Sequence, residues 1–396
     1  MLENKFNILE LLKNSKENIS VDSIIDVLVD NFRDELISKK DEKLINLVFS
    51  EKINQQDLDE FLKDYDIEVA GSNKSLLLSY FMKMHPELSF NEYSGPRLRG
   101  LLDFYRFQNM KLISHFTKIC NELKKENIDV LIFKGGAMKF LRPEFSRAMG
   151  DIDALVREKD YKKAGLIAEN MGYDCAWDVH SVDLHPKDSE EGIMDIHKYI
   201  HMQTGCERNI NNDLFNRARK VKAFGVDAYI PSNEDLFFIT LVNLVRNLRN
   251  KTSVKGILFA LFDAKFLLDS KPNFDWNIVI ENTRKTKTEL QVYLALRFMN
   301  KIVPNLLPEN LQKETLFEKE IRDYCTLLMY QRFFLWQMKM KSHDLKIKDA
   351  FTNWNNFIEY LKLKPKYFIL KLFFIRKNPV LARAILKFNE KHYIGA

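Results

Sequence analysis

Two aspartates stand at alternate positions in Gly150-Asp-Ile-Asp-Ala-Leu-Val156, and a glycine pair stands upstream in Val130-Leu-Ile-Phe-Lys-Gly-Gly136. On a strand, residues two apart point to the same face. Asp151 and Asp153 are therefore expected to project together, while Ile152 and Val156 turn toward a core. Adjacent carboxylates repel each other unless a cation lies between them. An all-oxygen ligand set of this kind suits Mg²⁺, or Mn²⁺, carrying a substrate phosphate.

Gly135 and Gly136 offer the other half of such a site. At a strand-to-helix turn, glycine lets the backbone approach a ligand and adopt φ > 0. The helix start that follows presents free N–H groups and partial positive charge to a phosphate. Lys134 and Arg147 suit phosphate contacts by charge, lysine as a point charge and arginine through a planar fork. Asp195, in Ile193-Met-Asp-Ile-His197, lies on an apolar-flanked strand-like segment. Set beside residues 151–156, it would bring a third carboxylate to a two-metal site. The chemistry expected there is in-line attack of a hydroxyl on the α-phosphorus of an NTP, with pyrophosphate leaving. Asp195 would accept the hydroxyl's proton if within reach.

The elements that must position these residues follow from periodicity. Fourteen residues separate Gly136 from Asp151, room for one short helix and a returning loop. Strands are expected at Asp129–Phe133, Asp151–Val156, Tyr173–Val179, Ser181–His185, Gly192–Tyr199 and Phe224–Ile230, with a short helix near Ala137–Leu141 and another over Lys159–Met171. Before them, helical spacing runs through Asp41–Phe49, Gln56–Tyr65 and Ser75–Met84. A long helix from Arg97 to about Asn127 follows, with Leu101, Phe104, Phe107, Leu112, Phe116 and Leu123 as its apolar positions. After Ser232 the pattern is helical again. The fold class expected is α+β, a small mixed sheet flanked by N-terminal and C-terminal helical domains. The boundaries fall at 1–96 for the N-terminal helices, 97–232 for the core and 233–396 for the C-terminal helices.

The chain has 396 residues, 46% hydrophobic and 29% charged, with a formal charge of +6. That balance permits anionic partners without requiring nucleic acid. Cys120, Cys175, Cys206 and Cys325 are scattered, which fits neither a disulfide framework nor a zinc site and points to a reducing compartment. With no signal-peptide pattern and no apolar run of membrane-spanning length, a cytoplasmic protein is expected. His180, His185, His197 and His201 match no common zinc spacing and read as structural or pocket-lining residues. From Lys362 to Lys391 cations face the single acid Glu390, with Tyr367, Phe368, Phe373, Phe374 and Phe388 between them. This fits a basic-faced helix pair, an RNA-facing surface or a contact with anionic lipid.

Lys134-Gly-Gly-Ala, Arg147-Ala-Met-Gly-Asp-Ile-Asp-Ala-Leu-Val156 and Met194-Asp-Ile-His197 together resemble the bacterial "uncharacterised nucleotidyltransferase" family of the polymerase-β-type nucleotidyltransferase superfamily. The resemblance spans roughly residues 97–290. It implies Gly135 and Gly136 as phosphate contacts, Asp151, Asp153 and Asp195 as metal ligands, an NTP as donor, and an acceptor that it does not name. Where this branch usually carries histidines on a helix after Ser232, the chain has Val242-Asn-Leu-Val-Arg-Asn-Leu-Arg249.

The acceptor expected is a hydroxyl of a small molecule, peptide or protein side chain, with RNA as another option. Two further readings stay open on the residues alone. One is a DxD glycosyltransferase using a nucleotide sugar, which leaves the glycine pair without a role. The other is an inactive module of the same fold that binds RNA through its basic C-terminus.

Overall fold

A computed structural model describes residues 21–50, 52–67, 72–143, 149–178, 180–187, 193–200, 206–250 and 254–308. Arg147, His201, Cys325 and the basic aromatic segment 362–391 lie outside the described residues. The chain divides into two compact units, residues 1–202 with 207–316, and residues 203–206 with 317–396. The first unit contains everything described below.

Its centre is a seven-stranded mixed sheet: β1 (Leu131–Ile132), β2 (Ile152–Leu155), β3 (Tyr173–Trp177), β4 (Ser181–Pro186), β5 (Met194–His197), β6 (Arg219–Ala223) and β7 (Val226–Ile230). The spatial order is β3-β4-β5-β2-β1-β7-β6. β2 and β5 run parallel, as do β1 and β7, and the other neighbours are antiparallel. Ile152, Ala154, Met194, Ile196, Val182 and Leu184 are all buried, and they alternate with the polar residues of the same strands. The strand period of two thus gives the sheet a dry face and a face that carries acids.

Helices α1 (Val21–Leu36), α2 (Lys39–Phe49), α3 (Gln55–Asp64) and α4 (Ser72–Met84) precede the sheet. Ser38 and Asp41 form a capping box at α2, and Asn54 and Asp57 form one at α3; reciprocal bonds of this kind satisfy helix-start N–H groups. The long α5 (Ser94–Lys125) leads to β1, α6 (Lys134–Leu141) links β1 to β2, and α7 (Tyr161–Asn170) precedes β3. All three pack on the sheet. After α8 (Asn211–Arg217) and the β6–β7 hairpin come α9 (Asn233–Asn250), α10 (Val254–Asp269), α11 (Trp276–Thr286) and α12 (Glu289–Ile302), with α9 packed against the other three. The N-terminal helices join this group: Tyr80 of α4 sets its ring against Phe259 and Phe262 of α10, at centroid distances of 6.3 and 5.6 Å. Asp30 of α1 pairs with Lys301 of α12 at 3.0 Å.

Three sequence expectations need correction. Phe224 is not a strand residue; with Gly225 it forms the turn between β6 and β7, both at positive φ, +53° and +76°. Two consecutive left-handed residues match the right-handed twist of a tight hairpin. β6 itself escaped periodicity because Arg219, Lys220 and Lys222 are exposed residues of the outermost strand, and charge on an edge strand discourages pairing with another chain. On α5 the buried residues fall in two groups, Ser94–Leu98 and Asn109–Leu123, whereas Phe104 and Phe107 are 53% and 60% exposed. The helix contacts α4, α7 and the sheet, and the turns between Leu98 and Asn109 carry no buried residue.

Candidate metal and nucleotide site

β2 and β5 pair in register, so that Asp153 faces Asp195 as a Cα partner. β4 adds Asp183 opposite Asp195 from the other side. Three carboxylates therefore stand in one row across three strands. His197, two residues beyond Asp195, shares its face. Its Nε2 lies 3.0 Å from Asp153 Oδ1 and 4.0 Å from Asp195 Oδ2. Asp153, Asp195 and His197 each offer one ligand atom within 4.8 Å of the others.

Asp151 sits just before β2 and outside that cluster, yet its charge is felt at Asp195. Lys134 donates from Nζ to Asp153 Oδ1, the oxygen that also receives His197. An ionised carboxylate only accepts, so His197 Nε2 carries the proton and Nδ1 is left as a buried lone pair with no partner. The His197 ring stands edge-on to Phe133 at 5.1 Å and lies 5.7 Å from the His180 ring.

The glycine pair begins α6 directly after β1. Phe133 occupies the N-cap position and its side chain makes no capping bond, and the first-turn N–H groups of a helix have no partner within it. Neither glycine is left-handed; the positive φ expected there belongs to Lys134, at +52°. Gly136 serves a different need. A Cβ on it would meet Ile132 Cγ2 at 2.8 Å and Ile152 Cγ2 at 3.0 Å. Only glycine lets the helix start sit this close to β1 and β2.

Electrostatics divide the row. Burial opposes ionisation of Asp153, but the Lys134 ammonium and the His197 hydrogen bond outweigh it and hold this carboxyl well below the usual carboxylate range. Asp195 goes the other way: burial, then the charges of Asp151, Asp153 and Asp183, push it up to about 8. Burial also keeps the His197 imidazole below its ordinary value, against the pull of Asp153. One lysine does not neutralise this many acids. The donor set fits a divalent cation because ligand atoms of Asp153 and Asp195 converge there, with further acids at Asp151 and Asp183 adding negative charge at Asp195. Mg²⁺ prefers oxygen; with that ion His197 would orient Asp153 from behind, and Mn²⁺ accepts an imidazole more readily.

Two residues here were not singled out from the sequence. Asp183 was hidden because its place depends on the β4–β5 register. Arg246, on α9, is exposed, and its charge lowers the pKa of His180, a group whose largest influence is burial. The departure Val242–Arg249 from the family's histidines was the available signal.

The mixed sheet thus sets converging acids beside the start of α6, and their ligand atoms lie close enough together to hold a metal ion. The chain belongs to a family described as uncharacterised nucleotidyltransferase, whose model matches residues 81–304, more than half of the sequence. It is a nucleotidyltransferase, and transfer from a nucleotide sugar is thereby set aside. No curated protein matches the chain. Among solved structures it is similar to the solution structure of the antibiotic-resistance factor ANT(2'')-Ia, at 15% identity over 49% of this chain and 91% of that one, with a TM-score of 0.26. A likeness at that TM-score carries no argument about activity. No helix among the described residues is long and apolar enough to cross a membrane.

Proposed function

We propose that this chain moves a nucleoside monophosphate from an NTP to an acceptor hydroxyl in an Mg²⁺- or Mn²⁺-dependent reaction. The observation that carries this reading is the in-register pairing of Asp153 with Asp195, beside a helix start that its N-cap residue Phe133 does not cap. Asp153 and Asp195 hold the cation, and Asp151 completes the acid set from the end of β2. A divalent cation there neutralises phosphate charge and lowers the pKa of an attacking hydroxyl. The N–H groups of the Gly135-Gly136 turn bind the phosphates, with Lys134 as their partner cation. Arg147, outside the described residues, keeps the phosphate role that its place in the motif implies.

In the transfer step the acceptor oxygen forms a bond to the α-phosphorus. The bond from that phosphorus to the bridging oxygen breaks, and its electron pair leaves with pyrophosphate. Asp195 receives the acceptor's proton. Placement and charge neutralisation provide most of the rate. The acceptor is a small molecule, a peptide or a protein side chain, with RNA as a further class. The test supplies α-labelled ATP, GTP, CTP and UTP with Mg²⁺ or Mn²⁺ and host extract, and follows the label into small-molecule, protein and RNA fractions. Label transfer that disappears in Asp195→Asn supports the reading; equal transfer by that variant sinks it.

A further inference from the structure

Lys134 reaches the site in an unusual way. Its backbone is left-handed, with φ +52°, a conformation that L-residues disfavour. Its side chain is 20% exposed and turns inward, donating to Asp153 Oδ1 while Nζ lies 5.3 Å from the Phe133 ring centroid. The ammonium therefore stands on a carboxylate of the only cluster among the described residues that gathers metal-ligating atoms. The same residue begins α6, the helix start assigned above to the phosphates.

We propose that Lys134 is a built-in stand-in for the metal: its ammonium occupies the cation position on Asp153 until metal and nucleotide arrive together, then turns outward to the phosphates. The inference rests on the metal-dependent reading above and adds the order in which charges enter the site. A monovalent ammonium and a divalent cation compete for the same carboxylate. Metal alone must displace Lys134 with no new partner for it. Metal with NTP gives the displaced ammonium a phosphate to meet, so the two ligands bind cooperatively. The arrangement also keeps Asp153 ionised and in place beforehand, which lessens the reorganisation needed at the moment of reaction.

The test measures Mn²⁺ binding to the full chain by electron paramagnetic resonance, with and without a non-hydrolysable NTP analogue. Lys134→Met is expected to bind Mn²⁺ alone about tenfold or more tightly than the wild type, since a contacting charge shifts such equilibria by 1–3 log units. The analogue is expected to tighten Mn²⁺ binding in the wild type and to do so much less in the variant. A residue that merely supports the fold, or only touches phosphate, does not improve metal affinity when removed. Lys134→Gly repeats the experiment with the backbone relaxed, in case the first variant folds poorly. Equal or weaker Mn²⁺ binding by the variants overturns the stand-in role. The metal site itself then still stands if Asp195→Asn loses Mn²⁺. If wild type and Asp195→Asn bind Mn²⁺ equally, the metal reading fails and this inference fails with it.

Discussion

Asp153 and Asp195 are Cα partners on adjacent parallel strands, yet their carboxyls are driven in opposite directions. The first is kept ionised by Lys134 and His197, and the second is pushed toward its neutral form by burial and neighbouring acids. In the proposed reaction a divalent ion between them would satisfy both. Asp153→Asn and Asp195→Asn are each expected to abolish nucleotidyl transfer and weaken Mn²⁺ binding while the circular dichroism spectrum stays native. Asp151→Ala is expected to abolish transfer as well. Retained turnover in all three would remove these acids from the mechanism.

The raised pKa of Asp195 has a consequence for stability in metal-free protein. Its folded value of about 8 lies above the ordinary 3.8, so between those values the folded chain holds a proton that the unfolded chain has released. Stability contributed by this group therefore falls as pH rises through that window. The lowered His197 and His180 work the other way up to their ordinary 6.5, so the readout is a difference: with chelator present, the urea midpoint of the wild type minus that of Asp195→Asn should fall from pH 5 toward pH 8. Added Mg²⁺ or Mn²⁺ should diminish that fall. A difference that stays flat or rises over this range would contradict the assignment.

Gly136 makes a prediction of another kind. With Ile132 Cγ2 and Ile152 Cγ2 at 2.8 and 3.0 Å from any added Cβ, Gly136→Ala overpacks the join between α6 and the sheet. The expected cost is about 1–3 kcal/mol, read as a lowered Tm. Shaving the neighbour should relieve it: in a double-mutant cycle with Ile132→Ala, the two changes should cost less together than their sum. Strict additivity would show that the close approach is not felt.

A control comes from an acid away from the row. Asp235 is fully buried and accepts from Arg217 Nε at 3.0 Å and Nη2 at 2.7 Å, from Ser232 Oγ at 2.7 Å and from Asn282 Nδ2 at 2.7 Å. Asp235→Ala leaves a partly buried guanidinium without its partner, a loss on the order of 3–5 kcal/mol. Thermal denaturation should show that drop, with Mn²⁺ affinity unchanged in the folded fraction.

Much of the sheet was legible because its strands obey the period of two, and Ile152, Ala154, Met194 and Ile196 mark the dry face against Asp153 and Asp195. Chain order also placed the glycine pair before the acids. What escaped has physical causes. Register is a property of pairs of strands, so the alignment of Asp183 with Asp195, and the selection of His197 rather than Asp151 into the tight cluster, are invisible in one segment. Glycine reports that a side chain is unwelcome without saying why; at Gly136 the reason is crowding, and the left-handed residue is its neighbour Lys134. Phe104 and Phe107 illustrate the reverse error, since apolar character on a long helix does not say whether a neighbour reaches that turn.

The left-handed backbone at Lys134 bears on how this protein would respond to selection. Glycine at that position would relieve the torsional penalty of about 1 kcal/mol and remove the ammonium at the same time. It would also leave the buried Asp153 carboxylate without its ammonium, and uncompensating a buried charge costs more than a relaxed torsion returns. Position 134 therefore resists the usual exchange of a left-handed residue for glycine: screens for heat resistance and for turnover, run in parallel on a library at that codon, should both retain the lysine.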